Sequence, residues 1–161
     1  MKKLISLGVT LLLLLFTQKE VKAQRSHALY VEGLGNGLLY SLNYDVRFAE
    51  RTDKWGARIG VAPYREVFTS LVQINYLFGT GKHRFEVGGG ATTQLGFAGE
   101  KGRADIAPNA ALMYRYQNPS GNFLFRVGLG SIFIGSDEGS TFEDLNKIFW
   151  FWPGLSLGYH F

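Results

Sequence analysis

The segment Gly154-Leu155-Ser156-Leu157-Gly158-Tyr159-His160-Phe161 alternates small or polar residues with large apolar ones. Side chains of a strand alternate between its two faces, so Leu155, Leu157, Tyr159 and Phe161 share one face and Ser156 and His160 the other. The second face is too small and too polar to pack a water-soluble core. A stricter form of the pattern occupies Tyr40-Ser41-Leu42-Asn43-Tyr44-Asp45-Val46-Arg47-Phe48, where every even position is apolar or aromatic and every odd position polar. The fold turns on which of these two faces meets water.

Working outward, turn-forming clusters divide the chain into eight strand signals. The first covers Ala28 to Leu34, and Gly35-Asn36-Gly37 after it reads as a tight hairpin turn to the Tyr40–Phe48 strand. The third runs from Trp55 and is ended by Pro63. A fourth, from about Val67 to Phe78, meets the short turn Gly79-Thr80-Gly81-Lys82. The fifth sets Phe85 and Val87 against Arg84, Glu86, Gly88 and Gly90, and a long polar link is expected from about Thr92 to Arg103. The sixth lies near Asp105 to Tyr116, with a bulge or edge-like break expected at Pro108, which lacks a ladder donor. After Asn118-Pro119-Ser120-Gly121, the seventh places Phe123, Phe125, Val127, Leu129 and Phe133 opposite Arg126, Gly128 and Gly130. A second long link, Gly135 to about Lys147, precedes the eighth strand, Phe149 to Phe161.

Alternation alone fits both a soluble barrel and a membrane barrel, which differ in the face they turn outward. The polar faces carry Glu32, Asp45, Arg47, Arg58, Arg84, Glu86, Arg115 and Arg126, several of them alternating with glycine. Charges of both signs on narrow, glycine-rich faces suit a crowded interior where arginine and carboxylate pair, whereas glycine on a solvent face weakens a strand for no gain. If successive strands reverse direction, Phe48, Trp55, Phe78, Phe85, Tyr116, Phe123 and Phe161 gather near one rim and Tyr40, Phe68, Phe133 and Phe149 near the other. Two aromatic girdles mark membrane interfaces. With the termini on the periplasmic side, links 2–3, 4–5 and 6–7 are periplasmic and short, and the two long links fall outside. The expected fold is all-β: an eight-stranded antiparallel up-and-down transmembrane β-barrel.

The beginning of the chain agrees. Lys2 and Lys3 precede an apolar run from Leu4 to Phe16, and Val21 and Ala23 stand where a signal peptidase takes small residues, so residues 1–23 read as a cleaved signal peptide and 24–161 as the barrel domain. Cleavage would remove four lysines and one glutamate, lowering the formal net charge from +4 to +1. The basicity belongs mainly to the leader, and nucleic acid is not an expected partner. With no cysteine, an exported domain depends on its own packing and on its solvent. Every later apolar run is interrupted before the ~18 to 20 residues of a spanning helix.

The ending at Phe161 resembles the C-terminal strand of Gram-negative outer-membrane barrels, which implies that Leu155, Leu157, Tyr159 and Phe161 are an assembly signal read by the barrel-assembly machinery. In strand number, size and leader the whole chain resembles the small eight-stranded barrels of the OmpX, OmpW and OmpA-membrane-domain type, within the bacterial "outer membrane protein beta-barrel" families. The resemblance implies fold, an outer-membrane location and contact with outer-membrane lipid and lipopolysaccharide; it does not imply an activity.

Two readings of the interior charges stay open. One is a network of Arg47, Arg58, Arg84, Arg115 and Arg126 with Glu32, Asp45 and Glu86 that plugs the lumen; the other is a narrow, porin-like pore biased toward anions. In the outer links, Lys101 and Arg103 could meet lipopolysaccharide phosphates, and Asp137, Glu138, Glu143 and Asp144 could meet a cation weakly or a basic extracellular ligand at the cell surface. Neither that acidic loop nor the glycine turns have the spacing of a calcium or phosphate loop, and no metal or cofactor is expected. His83 and His160 lack a converging serine and carboxylate, so no catalytic residue is assigned. The expected role is structural or surface interaction, the alternative a small pore or transporter, and third a lipid A-modifying enzyme.

Overall fold

A computed structural model describes residues 27–48, 54–64, 67–96, 103–118, 121–133 and 151–161. They form β1 (His27–Leu34), β2 (Tyr40–Arg47), β3 (Trp55–Pro63), β4 (Val67–Phe78), β5 (His83–Gly96), β6 (Arg103–Gln117), β7 (Phe123–Ile132) and β8 (Trp152–His160). Each strand pairs antiparallel with its sequence neighbours, and β8 returns to β1, closing the sheet into a barrel. The closing seam runs from Ala28 opposite His160 to Leu34 opposite Gly154. Beyond it, Phe161 N donates to His27 O at 2.9 Å and His27 N to Phe161 O at 3.1 Å. Closure leaves no edge strand to be satisfied by water or by another chain.

The barrel is inside out relative to a soluble one. Leu29, Val31, Leu42, Ile59, Val72, Ile74, Leu112, Val127, Leu155 and Leu157 all point outward and are exposed, Leu157 at 52%. The buried interior is mostly polar, with Glu32, Asp45, Arg58, Glu86, Arg115 and Arg126 each at 1% exposure or less. An exterior of this kind belongs in hydrocarbon, where a leucine face costs nothing and the closed ladder satisfies the backbone.

Aromatic rings edge the lower rim, which carries the 79–82 turn and is the one expected to be periplasmic. Trp55 meets Tyr76 and Tyr76 meets Phe78 at ring-centroid distances of 4.9 and 4.7 Å. Tyr116 lies 6.4 Å from Phe123, and Phe161 lies 6.1 Å from Tyr159 and 5.9 Å from the His27 ring. His83 joins this belt, its Nδ1 2.5 Å from the Tyr114 hydroxyl. At the upper rim Tyr40 and Tyr64 pack edge to face at 5.1 Å, and the Tyr40 hydroxyl donates to Pro63 O. Phe149 lies outside the described residues.

One expectation is corrected and two are refined. The residues from Thr92 to Gly96 are not a link but the end of β5, because the lumen-facing parity of Glu86, Gly88 and Gly90 continues through Thr92 and Gln94. Of the bulge or edge-like break expected at Pro108, the bulge is absent: β5 and β6 stay in consecutive register across it, with Gly90 opposite Asn109, Ala91 opposite Pro108 and Thr92 opposite Ala107, while the edge-like break is on the β7 side. The Pro108 carbonyl accepts from Phe133 N at 2.8 Å, so its ring nitrogen faces the β7 side, where the described pairing ends at Ile132. Among the described residues the missing donor falls past the last β6–β7 pair. Third, Gly35–Gly37 is a buried 3-10 turn folded into the barrel mouth, flanked by Leu34 and Leu38 at φ 59° and 67°. For leucine such backbone angles cost on the order of 1–3 kcal/mol each.

Leu157→Arg tests the orientation of the wall. Leu157 pairs with Val31 and Phe125 well inside the girdles. In lipid vesicles, urea titration should show a loss of about 2–4 kcal/mol; a soluble barrel carrying this face toward water would lose almost nothing.

Candidate functional site: the barrel interior

The lumen residues come from alternate positions of all eight strands, so the ladder register decides which of them meet. Glu32 on β1 receives Arg58 Nη2 at 2.6 Å on one carboxylate oxygen, and Arg126 Nη1 at 3.0 Å with the Ser156 hydroxyl at 3.1 Å on the other. Glu86 on β5 receives Arg126 Nη2 at 2.6 Å and Arg115 Nη1 at 2.9 Å on its two oxygens. Arg115 also reaches Asp45 at 3.5 Å, and Asp45 is gripped by Arg47 and accepts from Asn75 Nδ2 at 2.9 Å. The result is an alternating chain across the lumen: Arg47, Asp45, Arg115, Glu86, Arg126, Glu32, Arg58.

Aromatic and small residues shape this chain. The Tyr30 ring lies between two of its cations, 4.7 Å from the Arg126 guanidinium carbon and 5.5 Å from that of Arg58, so its π face adds to their neutralisation. Glycines leave the room. A Cβ on Gly56 would stand 2.3 Å from Arg47 Cζ, and one on Gly60 would stand 2.2 Å from Asn43 Oδ1, the atom that accepts from Arg58 Nε at 2.9 Å. These contacts explain why glycine alternates with charge along the strands.

A second line of hydrogen bonds leaves the network toward the upper mouth. Arg58 Nη1 donates to Gln73 Oε1 at 3.2 Å, Gln73 Nε2 to Asn109 Oδ1 at 2.7 Å, Asn109 Nδ2 to Thr92 Oγ1 at 2.8 Å, and Thr92 Oγ1 to Asn36 O at 3.2 Å. All four donors point the same way, which polarises the chain and strengthens each bond. Asn36 in turn donates from Nδ2 to Ala110 O at 2.9 Å. The inward turn and the ion pairs are thus parts of one polar interior.

Of the expected lumen charges, Glu32, Asp45, Arg47, Arg58, Glu86, Arg115 and Arg126 come together here. Arg84 does not reach as deep: it is half-buried at the lower mouth and donates from Nε to Gly81 O at 3.1 Å. Leu155, Leu157, Tyr159 and Phe161 share the outer face of the closing strand and its end, all exposed. Lys101, Asp137, Glu138, Glu143 and Asp144 lie outside the described residues, and Arg103 is the first residue of β6. His160 is buried at the lower end of the lumen. Alternation puts Gln73 and Asn109 on the polar faces of their strands, but reading the sequence did not single out Tyr30, Asn36, Tyr64 or Thr92. The parity of β5 could have placed Thr92; nothing in the local pattern places Asn36.

No family model matches the chain, and no curated protein matches it. Among solved structures it is similar to the crystal structure of the N-terminal β-barrel domain of Pseudomonas aeruginosa OprF, with a TM-score of 0.57 and 17% identity over 86% of this chain and 98% of that domain. Both are β-barrels, and this one closes with eight antiparallel strands and turns an apolar face outward. The chain has the fold of an eight-stranded transmembrane β-barrel. At this identity the likeness concerns the fold; the interior of this barrel is described by its own side chains.

Those side chains set the cost of breaking the interior. Glu86→Gln leaves the facing sides of Arg115 and Arg126 without a counter-charge at a site with 1% exposure. Unfolding in lipid vesicles should show a loss of about 3–5 kcal/mol, against less than about 1 kcal/mol for Arg84→Ala at the mouth. Equal losses for the two would mean that the interior pairs are as well solvated as the rim.

Proposed function

We propose that the protein is an integral outer-membrane barrel of a Gram-negative bacterium with a plugged polar lumen, serving a structural or surface-interaction role through the links at its upper rim. The observation that carries this reading is the alternating chain of four arginines and three carboxylates, which occupies the lumen from Arg47 on β2 to Arg58 on β3 by way of β1, β5, β6 and β7. Each charge of this chain is paired with a neighbour in it, Arg47 with Asp45 on the same strand and the others between strands, so a passing ion would have to displace a paired group rather than meet a free one. The likeness to the OprF barrel domain supports the outer-membrane location, and the belt of rings at the lower rim supports a membrane interface there.

In this reading the outer face of β8 is the assembly signal. The residues between β5 and β6 and between β7 and β8, with Lys101, Asp137, Glu138, Glu143 and Asp144, together with Arg103 at the start of β6, supply the surface chemistry, lipopolysaccharide phosphates being a partner for the two cations. The same chain of charges has one arginine in excess, which favours anions should the lumen open, so the competing reading is a narrow pore.

One measurement tests the closed barrel and a second separates the plug from the pore. The protein from a separated outer-membrane fraction should change mobility on a denaturing gel between unboiled and boiled samples, as a closed barrel does. Reconstituted in planar bilayers, it should give no steady conductance above the lipid baseline. A steady anion-selective conductance would replace the plugged reading with the pore.

A further inference from the structure

We infer that the Gly35–Gly37 turn is a hinged gate over the upper mouth of the lumen and that Tyr64 is its latch. The inference deepens the plugged reading: it names which part of the plug moves. The turn belongs to the first link, yet Gly35, Asn36 and Gly37 lie within the barrel mouth, and Asn36 is 1% exposed. The wall has receded to receive it. A Cβ on Gly130 would stand 2.2 Å from Asn36 Oδ1, and one on Gly154 would stand 3.5 Å from Gly35 Cα.

Three features give the turn two positions rather than one. Its hinges are strained, since Leu34 and Leu38 both hold positive φ, and swinging the turn outward relieves both. Its polar hold on the lumen is two hydrogen bonds, Asn36 Nδ2 on Ala110 O and Thr92 Oγ1 on Asn36 O, beside the packing of Leu38 against Ala107 and Ile132. Its outer end is clasped by one side chain from the neighbouring link. The Tyr64 hydroxyl donates to Gly37 O at 2.6 Å and accepts from Leu39 N at 2.9 Å, while its ring packs on Tyr40. Strain pushes the turn out; the hydroxyl holds it in.

The gate is also wired to the charges below it. The bonds from Arg58 through Gln73, Asn109 and Thr92 end on Asn36 O, so release of the turn frees the last acceptor of a line that begins at the Arg58–Glu32 pair. Glu32 lies directly beneath the hinge, where a Cβ on Gly35 would stand 2.7 Å from its Oε1. Opening the turn therefore loosens the upper edge of the ion-pair chain as well as uncovering it.

The chain has no cysteine, so single introduced thiols report accessibility cleanly. Thr92→Cys places one directly under the turn, its S–H a weaker donor toward Asn36 O that is the same with and without the Tyr64 hydroxyl, and Ala28→Cys places a second deep in the lower lumen as a reporter of whole-barrel opening. The full protein in phosphatidylcholine vesicles is treated with a membrane-impermeant methanethiosulfonate reagent. With Tyr64 intact, the thiol at 92 should react slowly. Tyr64→Phe, which keeps the ring and removes every hydroxyl bond to Gly37, Leu39 and Tyr40, should speed that reaction about tenfold and leave the thiol at 28 unchanged. Hydrogen exchange of the Leu38 amide, which donates to Gly35 O at 3.1 Å, should accelerate in parallel in a protein with no introduced thiol.

The gate is overturned if the thiol at 92 reacts at the same rate with and without the Tyr64 hydroxyl, or if it reacts at once in both. It is equally overturned if the thiols at 92 and 28 accelerate together, since Tyr64 then stabilises the whole barrel. Failure of the plugged reading is a different result, a steady conductance in the unsubstituted protein.

Discussion

Pairing of arginine with carboxylate inside a closed wall is the interaction on which the rest of this structure depends. A barrel whose exterior is leucine, valine and isoleucine has already placed its apolar residues outside, so the interior must be filled by polar groups. Taking a charge from water into such an interior costs several kcal/mol per ion, and only well-aligned partners offset it. Glu32 and Glu86 meet that demand by each bridging two arginines, with separate oxygens for each. Arg126 is shared between them, so the two carboxylates brace each other through one guanidinium whose planar fork fits both.

The wall and the filling constrain each other. Antiparallel closure satisfies the backbone and leaves the side chains to occupy a narrow bore; the bore is narrow enough that glycines at 56 and 60 are required beside Arg47 and Asn43. The same economy explains the upper mouth. Gly130 and Gly154 clear a recess, and the first link folds inward to fill it with a polar asparagine rather than leaving the end of the lumen to solvent. The backbone strain at Leu34 and Leu38 is the cost of that inward path, which the clasp of Tyr64 and the bonds of Asn36 offset.

Much of this was legible in the residues themselves. Period-two alternation, turn clusters and the placement of aromatics identified eight strands, their order and which face carries charge, because each of these is a local property of the backbone. The error was local too. Thr92 to Gly96 lacks large apolar residues and so resembles a link, although its polar parity continues that of β5. At Pro108 the sequence left a bulge and an edge-like break both open, and only the pairing decides: β5 keeps register across it, while the described β7 pairing ends at Asn109 and Ile132.

What the sequence by itself determined, then, is an inside-out antiparallel barrel: alternation assigns every residue a face, and the composition of the faces says which one meets lipid. The tertiary structure alone decided which arginine meets which carboxylate, that Arg84 stops at the mouth, and that Gly35–Gly37 turns inward to be clasped by Tyr64. The reason is register. Partners such as Glu32 and Arg126, or Asn36 and Ala110, lie far apart in the chain, and they meet only through the stagger of strands around a closed wall, which no local pattern of side chains encodes.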